Sequence, residues 1–291
     1  MGNAHRVGIR MESQEAESDR RPFNKLRWSL IGLFAVVSVF FVPNTNPVVF
    51  ALLPIIYASL LFVIAGLHST ELYSFKNTAI FFLITWIVSL SFEALSIQTG
   101  FPFGFYHYNL SSPTLFQVPL IVIVAYFGTG YIAWTLSHVL TGQYSKKLGG
   151  KQIFIVPFIA AFIMVMWDLI MDPVASTVFS RWVWHSPGAY FGVPLMNFFG
   201  WFVTVFIFYQ IFALYLSKYD RIQPQKVKAL TSKPFWIEAS VVYGLIGIYP
   251  LLVSVAIHND ITVSMSLVTV FTVIFAALIS FNTIMNNDNL S

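Results

Sequence analysis

Four acidic side chains lie inside long apolar stretches of this chain: Glu93, Asp168, Asp172 and Glu238. An ionisable group in such a setting is costly to bury, so it faces the interior of a helix bundle and usually carries function. Asp168 and Asp172 are four residues apart, which puts both on one face of a helix. Glu93, Asp168 and Asp172 each fall in the last turns of an apolar segment, beside loops crowded with aromatic residues. The first loop runs Gly100-Phe101-Pro102-Phe103-Gly104-Phe105-Tyr106-His107-Tyr108; the second holds Trp182, Trp184, His185, Tyr190, Phe191 and Pro194. Asn197 and Trp201 follow, one helical turn apart. A carboxyl in apolar, aromatic surroundings is suited to holding a proton and giving it to a hydrocarbon, and ring faces then stabilise the cation that forms. Glu93, Asp168 and Asp172 are therefore the candidate catalytic residues. Phe103, Tyr106, His107, Tyr108, Trp182, Trp184, Tyr190, Asn197 and Trp201 are the candidate binding residues.

Blander roles compete with each of these. Trp and Tyr are enriched at membrane interfaces, and buried aspartates often only bridge helices. Glu238 sits near the end of its segment and reads as structural or snorkelling. His107 and His185 could assist the acids, whereas His68, His138 and His258 read as interfacial. Gly128 and Gly130 read as close-packing positions. With no HExxH pattern and no dense histidine cluster, neither a metal nor an organic cofactor is expected. The chain has no cysteine, which excludes thiolate catalysis, disulfides and thiolate-held metals.

The elements that must position these groups are long and apolar. Of 291 residues, 57% are hydrophobic, 18% aromatic and 10% charged, against about 25% charged in an average soluble domain. Continuous apolar runs of spanning length favour helices over a barrel of short alternating strands. The expected fold is all-α: a polytopic transmembrane helical bundle of about eight spans, multi-pass in the cell membrane. The spans read as Trp28 to Val42, Pro47 to Leu67, Thr78 to Ile97, Val118 to Leu140, Gln152 to Met171, Pro194 to Leu216, Phe235 to Ile257 and Thr262 to Ile284. Residues 1–27 read as a disordered cytoplasmic arm, 28–285 as the transmembrane domain and 286–291 as a cytoplasmic tail.

The basic residues orient the bundle. Fifteen of the 16 Lys and Arg fall in the arm or in alternate connections, and Arg181 alone falls on the other side. By the positive-inside rule both termini are cytoplasmic and the aromatic loops are outside. Basic residues spread between apolar runs do not form a nucleic-acid surface. A weak internal repeat is also present: Glu93 precedes Val118-Pro119-Leu120 by 25 residues, and Asp168 precedes Val193-Pro194-Leu195 by 25. If this is a parallel repeat about the membrane normal, Glu93 and Asp168 face each other; a chance tripeptide in a Leu/Val/Pro-rich chain is the alternative.

Glu93 with the loop 100–108, Asp168-Leu169-Ile170-Met171-Asp172-Pro173, Trp182-Val183-Trp184 and the run from Tyr190 to Trp201 together resemble the CruF-type membrane carotenoid-biosynthesis proteins. The likeness extends over roughly residues 60 to 257, in matching order. It implies a carotenoid hydratase, of the kind that includes bisanhydrobacterioruberin hydratase, adding water without a cofactor to the terminal C=C bond of an acyclic carotenoid. It transfers no assigned catalytic residue. The expected partner is a lipophilic carotenoid reaching the site from the bilayer, and association with other membrane enzymes of the pathway is a further expectation. A terpenoid or carotenoid cyclase would share the first cation and is the nearest alternative. A prenyltransferase would need more basic residues for diphosphate than Arg181 supplies. A proton-coupled transporter would use the same buried acids as a relay.

Overall fold

A computed structural model describes residues 24–40, 47–109, 112–145, 147–219 and 227–291. The arm up to residue 23, Lys146, Arg221 and Lys226 lie outside the described residues. In chain order the elements are α1 (24–40), α2 (Pro47–Thr99), β1 (Tyr106–Tyr108), β2 (Thr114–Leu115), β3 (Val118–Pro119), α3 (Leu120–Leu140), α4 (Gln152–Asp172), β4 (Trp182–Trp184), α5 (Leu195–Tyr219), the short α6 (Val227–Leu230), α7 (Lys233–Ile246), α8 (Ile248–Ala256), α9 (Asp260–Thr269) and α10 (Phe275–Met285). Among the described residues, six helical segments are long and apolar enough to cross a membrane.

The longest, α2, is folded in two. Ser74 adopts φ 77° and ψ 161°, a conformation that breaks a helix of L-residues. Phe62 and Phe82 then meet at 5.6 Å between ring centroids, whereas a straight helix would hold them about 30 Å apart. The break falls between the two spans expected at Pro47 to Leu67 and Thr78 to Ile97. Its two arms close on α3, where both rings also touch Phe127.

The centre of the bundle is α3, buried without interruption from Tyr126 to Val139. A helix apolar all round is one that neighbours enclose on every side. Gly128 lets the first arm of α2 approach: a Cβ there would lie 3.2 Å from the Phe62 backbone nitrogen. This bears out close packing for that glycine.

Pro157 within α4 and Pro173 just past its end leave backbone carbonyls without their usual N–H partner, which matters because hydrocarbon supplies no replacement. Pro157 cannot serve the Ile153 carbonyl, and Gln210 Nε2 of α5 donates to it at 3.1 Å. Pro173 cannot serve the Leu169 carbonyl, and the Tyr190 hydroxyl donates to it at 3.2 Å. Past Pro173 the helix widens into a π-helical turn, Pro173–Val178, so α4 extends beyond the expected end at Met171. Such turns concentrate at functional sites.

The repeat has a structural counterpart. Tyr126 and Trp201 stand in the same relation as Glu93 and Asp168, and they stack face to face at 4.6 Å and 7°. Trp134 and Tyr209 share that relation and stack at 5.6 Å and 20°. Strands β1 and β4, which follow the two acid-bearing helices, pair antiparallel with one another. Equivalent residues meeting their equivalents is what an approximate two-fold between the two halves produces.

The end of the bundle remote from the acids is tied by charge. Arg27, 1% exposed, donates to both carboxylate oxygens of Glu238, at 2.6 and 3.2 Å, and also pairs with Glu71. Residues 24–27 thus belong to α1 and to the bundle, where the sequence reading ended the arm at 27. Glu238 is structural as expected, but it is buried and does not snorkel. His68 and His138 are also buried, in place of the interfacial positions expected. His68 bonds the Tyr131 hydroxyl and the Phe235 carbonyl, at 2.7 and 2.8 Å, and His138 bonds the Gln143 carbonyl at 2.8 Å. His258 is exposed. The segment 286–291 docks on the α6–α7 connection through Ser291 N to Thr231 O at 2.6 Å.

Candidate active site

The polypeptide first fixes the aromatic loops against the helix ends. Ser96 Oγ in the last turns of α2 donates to the Gly104 carbonyl at 2.9 Å and accepts from the Phe103 amide at 3.1 Å. Gly200 lets α5 press against the same loop, since a Cβ would meet the Pro102 carbonyl oxygen at 2.7 Å. The two loops are joined by the β1–β4 ribbon, with Tyr106 opposite Trp184, His107 opposite Val183 and Tyr108 opposite Trp182. Side chains alternate across a strand. Tyr106, Tyr108, Trp182 and Trp184 therefore face inward, while His107 and Val183 point out and are exposed.

Below the ribbon lies a cavity of about 570 Å³. Glu93, Asp168 and Asp172 all reach it, as do Phe103, Tyr106, Tyr108, Trp182, Trp184, Asn197 and Trp201. All three acids are buried, at 3%, 0% and 1% exposure. Glu93 is caged by phenols: Tyr126 donates to Oε1 at 2.7 Å, and Tyr106 and Tyr108 both donate to Oε2, the latter at 2.9 Å. Burial and the facing Glu93 hold the Tyr106 and Tyr108 hydroxyls well above the usual phenol range, so both remain donors. The two aspartates share one amide, because Asn197 Nδ2 donates to Asp168 Oδ2 at 2.9 Å and to Asp172 Oδ2 at 2.6 Å. Trp182 Nε1 donates to Asp172 Oδ1 at 3.0 Å.

Two expected binding residues stand apart from the cavity. His107 pairs with His185 at 3.0 Å on the outer face of the ribbon. Tyr190 packs on Phe191 and Phe198 and supports α4 from behind. Conversely, Tyr126, Trp167, Tyr57 and Tyr249 line the cavity without having been singled out. Tyr126 could have been found by extending the repeat, which matches it to Trp201. Among the described residues no three His, Asp or Glu side chains converge closely enough to hold one metal ion.

The cavity wall thins on one side. Leu52 and Ile55 of the first α2 arm line it and are also 49% and 42% exposed at the bundle surface. Ala58 and Leu61 continue that face inward, and Ile246, Tyr249 and Pro250 add a wall from the α7–α8 junction.

An apolar helical bundle of this kind, holding an acid cluster in an aromatic cavity, is the architecture of a polytopic membrane protein. The family model of the carotenoid biosynthesis proteins matches residues 47–274. The chain belongs to that family, and the match takes in every residue of the cavity described above. Comparison with curated proteins and with solved structures gives no match.

Proposed function

We propose that this carotenoid biosynthesis protein is a hydratase that adds water across the terminal C=C bond of an acyclic carotenoid. The observation that carries the reading is the convergence of three buried carboxyls and an inward-facing aromatic ribbon on one apolar cavity. A carboxyl O–H gives its proton to the CH carbon of the terminal alkene, leaving a tertiary cation on the dimethyl carbon. Water bonds to that carbon, and its surplus proton passes to a carboxylate, so one alkene and one water become one tertiary alcohol. Tyr106, Trp184, Trp201 and Phe103 present ring faces to the cationic end. The substrate is too apolar to travel through water, and the Leu52–Leu61 side offers access from lipid. The distribution of basic residues favours a cavity on the outer side of the cell membrane.

Expression in cells that accumulate lycopene or bisanhydrobacterioruberin, followed by mass measurement of the pigments, tests the reading. Products heavier by one or two waters are expected. A new product of unchanged mass would identify a cyclase, and unaltered pigments would refute both.

A further inference from the structure

The three acids differ in how their oxygens are satisfied, and the difference divides their labour. Of six carboxyl oxygens, five accept a hydrogen bond: both of Glu93 from phenols, both of Asp172 from Trp182 and Asn197, and Asp168 Oδ2 from Asn197. The sixth, Asp168 Oδ1, is fully buried and has no partner among the described residues. A bare carboxylate oxygen away from water is strongly unfavourable. A proton on that oxygen removes the charge and turns it into a donor, on a residue that lines the cavity.

The approximate two-fold sharpens the contrast. Glu93 and Asp168 are equivalent, as are Tyr126 and Trp201. In the first half Tyr126 gives its hydroxyl to the acid; in the second an indole ring takes that place, and no donor arrives at Asp168 Oδ1. One carboxyl of the pair accepts from three phenols, and its counterpart has an oxygen that accepts from no group among the described residues.

Resting on the hydration reading, we infer that Asp168 is the proton donor, that Asp172 receives the proton from the attacking water, and that Glu93 is the fixed counter-charge of the cation. The Asp168 O–H bond breaks as the substrate C–H bond forms, and the water proton lost to Asp172 restores one proton to the aspartate pair. Asn197, bonded to both, positions the pair.

Deuterium labelling separates these roles. Membranes containing the protein are incubated with the acyclic carotenoid in D2O, and both the hydrated product and the deuterium in recovered substrate are measured. Asp172→Asn is expected to lose hydration by 100-fold or more while still placing deuterium in recovered carotenoid, because its cation can only revert. Asp168→Asn is expected to lose both. Hydration or exchange by Asp168→Asn at the wild-type rate per folded molecule would overturn the assignment. Should that variant fail to insert, Asp168→Glu and Asp168→Gln form a matched pair, and equal exchange by the two would overturn it. Exchange without hydration by the wild type, lost in Asp168→Asn, would sink the hydratase reading and leave the donor assignment standing. A wild type that does neither refutes both.

Discussion

Replacing Asn197 by leucine removes the one amide on which both aspartates depend. Its Nδ2 makes bonds of 2.9 and 2.6 Å to Asp168 and Asp172, and the side chain is 1% exposed. Hydrogen bonds to charged groups are worth about 1.5–3 kcal/mol in soluble proteins, but polar contacts within membrane bundles average about 0.6 kcal/mol because the unfolded chain also finds partners. Two such bonds, one to a carboxylate, place the expected loss of stability at about 1–3 kcal/mol. The catalytic effect should be larger. General acid–base catalysis contributes about 10²–10⁴-fold, and it is lost when the two carboxyls leave register. Asn197→Leu should thus reduce product per folded molecule by about 100-fold or more. Pigment masses give turnover, and unfolding of the purified protein in mixed micelles gives stability. In an Asp172→Asn background the same substitution should reduce turnover much less, because the pair is already broken. Full turnover per folded Asn197→Leu molecule would refute the reasoning, as would an equal effect in both backgrounds.

Ala58→Trp should fill the cavity side that meets lipid, lowering turnover of a full-length carotenoid at least about tenfold while sparing a short isoprenoid with the same terminus; equal losses on both would argue against access there. Glu238→Gln should destabilise the bundle by about 1–3 kcal/mol, because buried Arg27 keeps Glu71 but loses the charge of its two-oxygen partner, and the partly exposed Glu71→Gln by less than about 1 kcal/mol, as micellar unfolding can check. Gln210→Leu should cost about 1 kcal/mol in the native chain and close to nothing beside Pro157→Ala, which restores the N–H that Ile153 lacks; identical costs would show that the bond is idle. Single cysteines are unambiguous probes in this cysteine-free chain, and one at Ser112 should react with an impermeant reagent from outside the cell only.

Much of this was legible in the residues because lipid imposes few alternatives. Long apolar runs had to become helices, and the break at Ser74 falls in the polar stretch between two such runs. Asp168 and Asp172 had to share a face, and the aromatic loops had to lie beside them. The ribbon was harder to read. Which residues of 106–108 face inward depends on pairing with a strand far along the chain, and that pairing turns His107 away. Tyr190 was misplaced because proline chemistry drew it to the Leu169 carbonyl, behind α4. Tyr126 opens the continuously buried stretch of α3, where no local pattern distinguishes a cavity wall from packing. Arg27 looked like part of a solvated arm, since a lone charge carries no sign of the carboxylate that waits for it.

The stack of Tyr126 on Trp201 marks a constraint that single chains escape. In a symmetric homodimer the surface at the axis meets a copy of itself, so residue and partner are always identical. Two such subunits would set the same acid, in the same phenol cage, on both sides of the cleft, so the surroundings could not choose which of the two keeps a proton. Joining the halves in one polypeptide lets each side mutate alone. Glutamate against aspartate and phenol against indole are differences that one polypeptide holds in register, and through them a nearly symmetric wall acquires a direction.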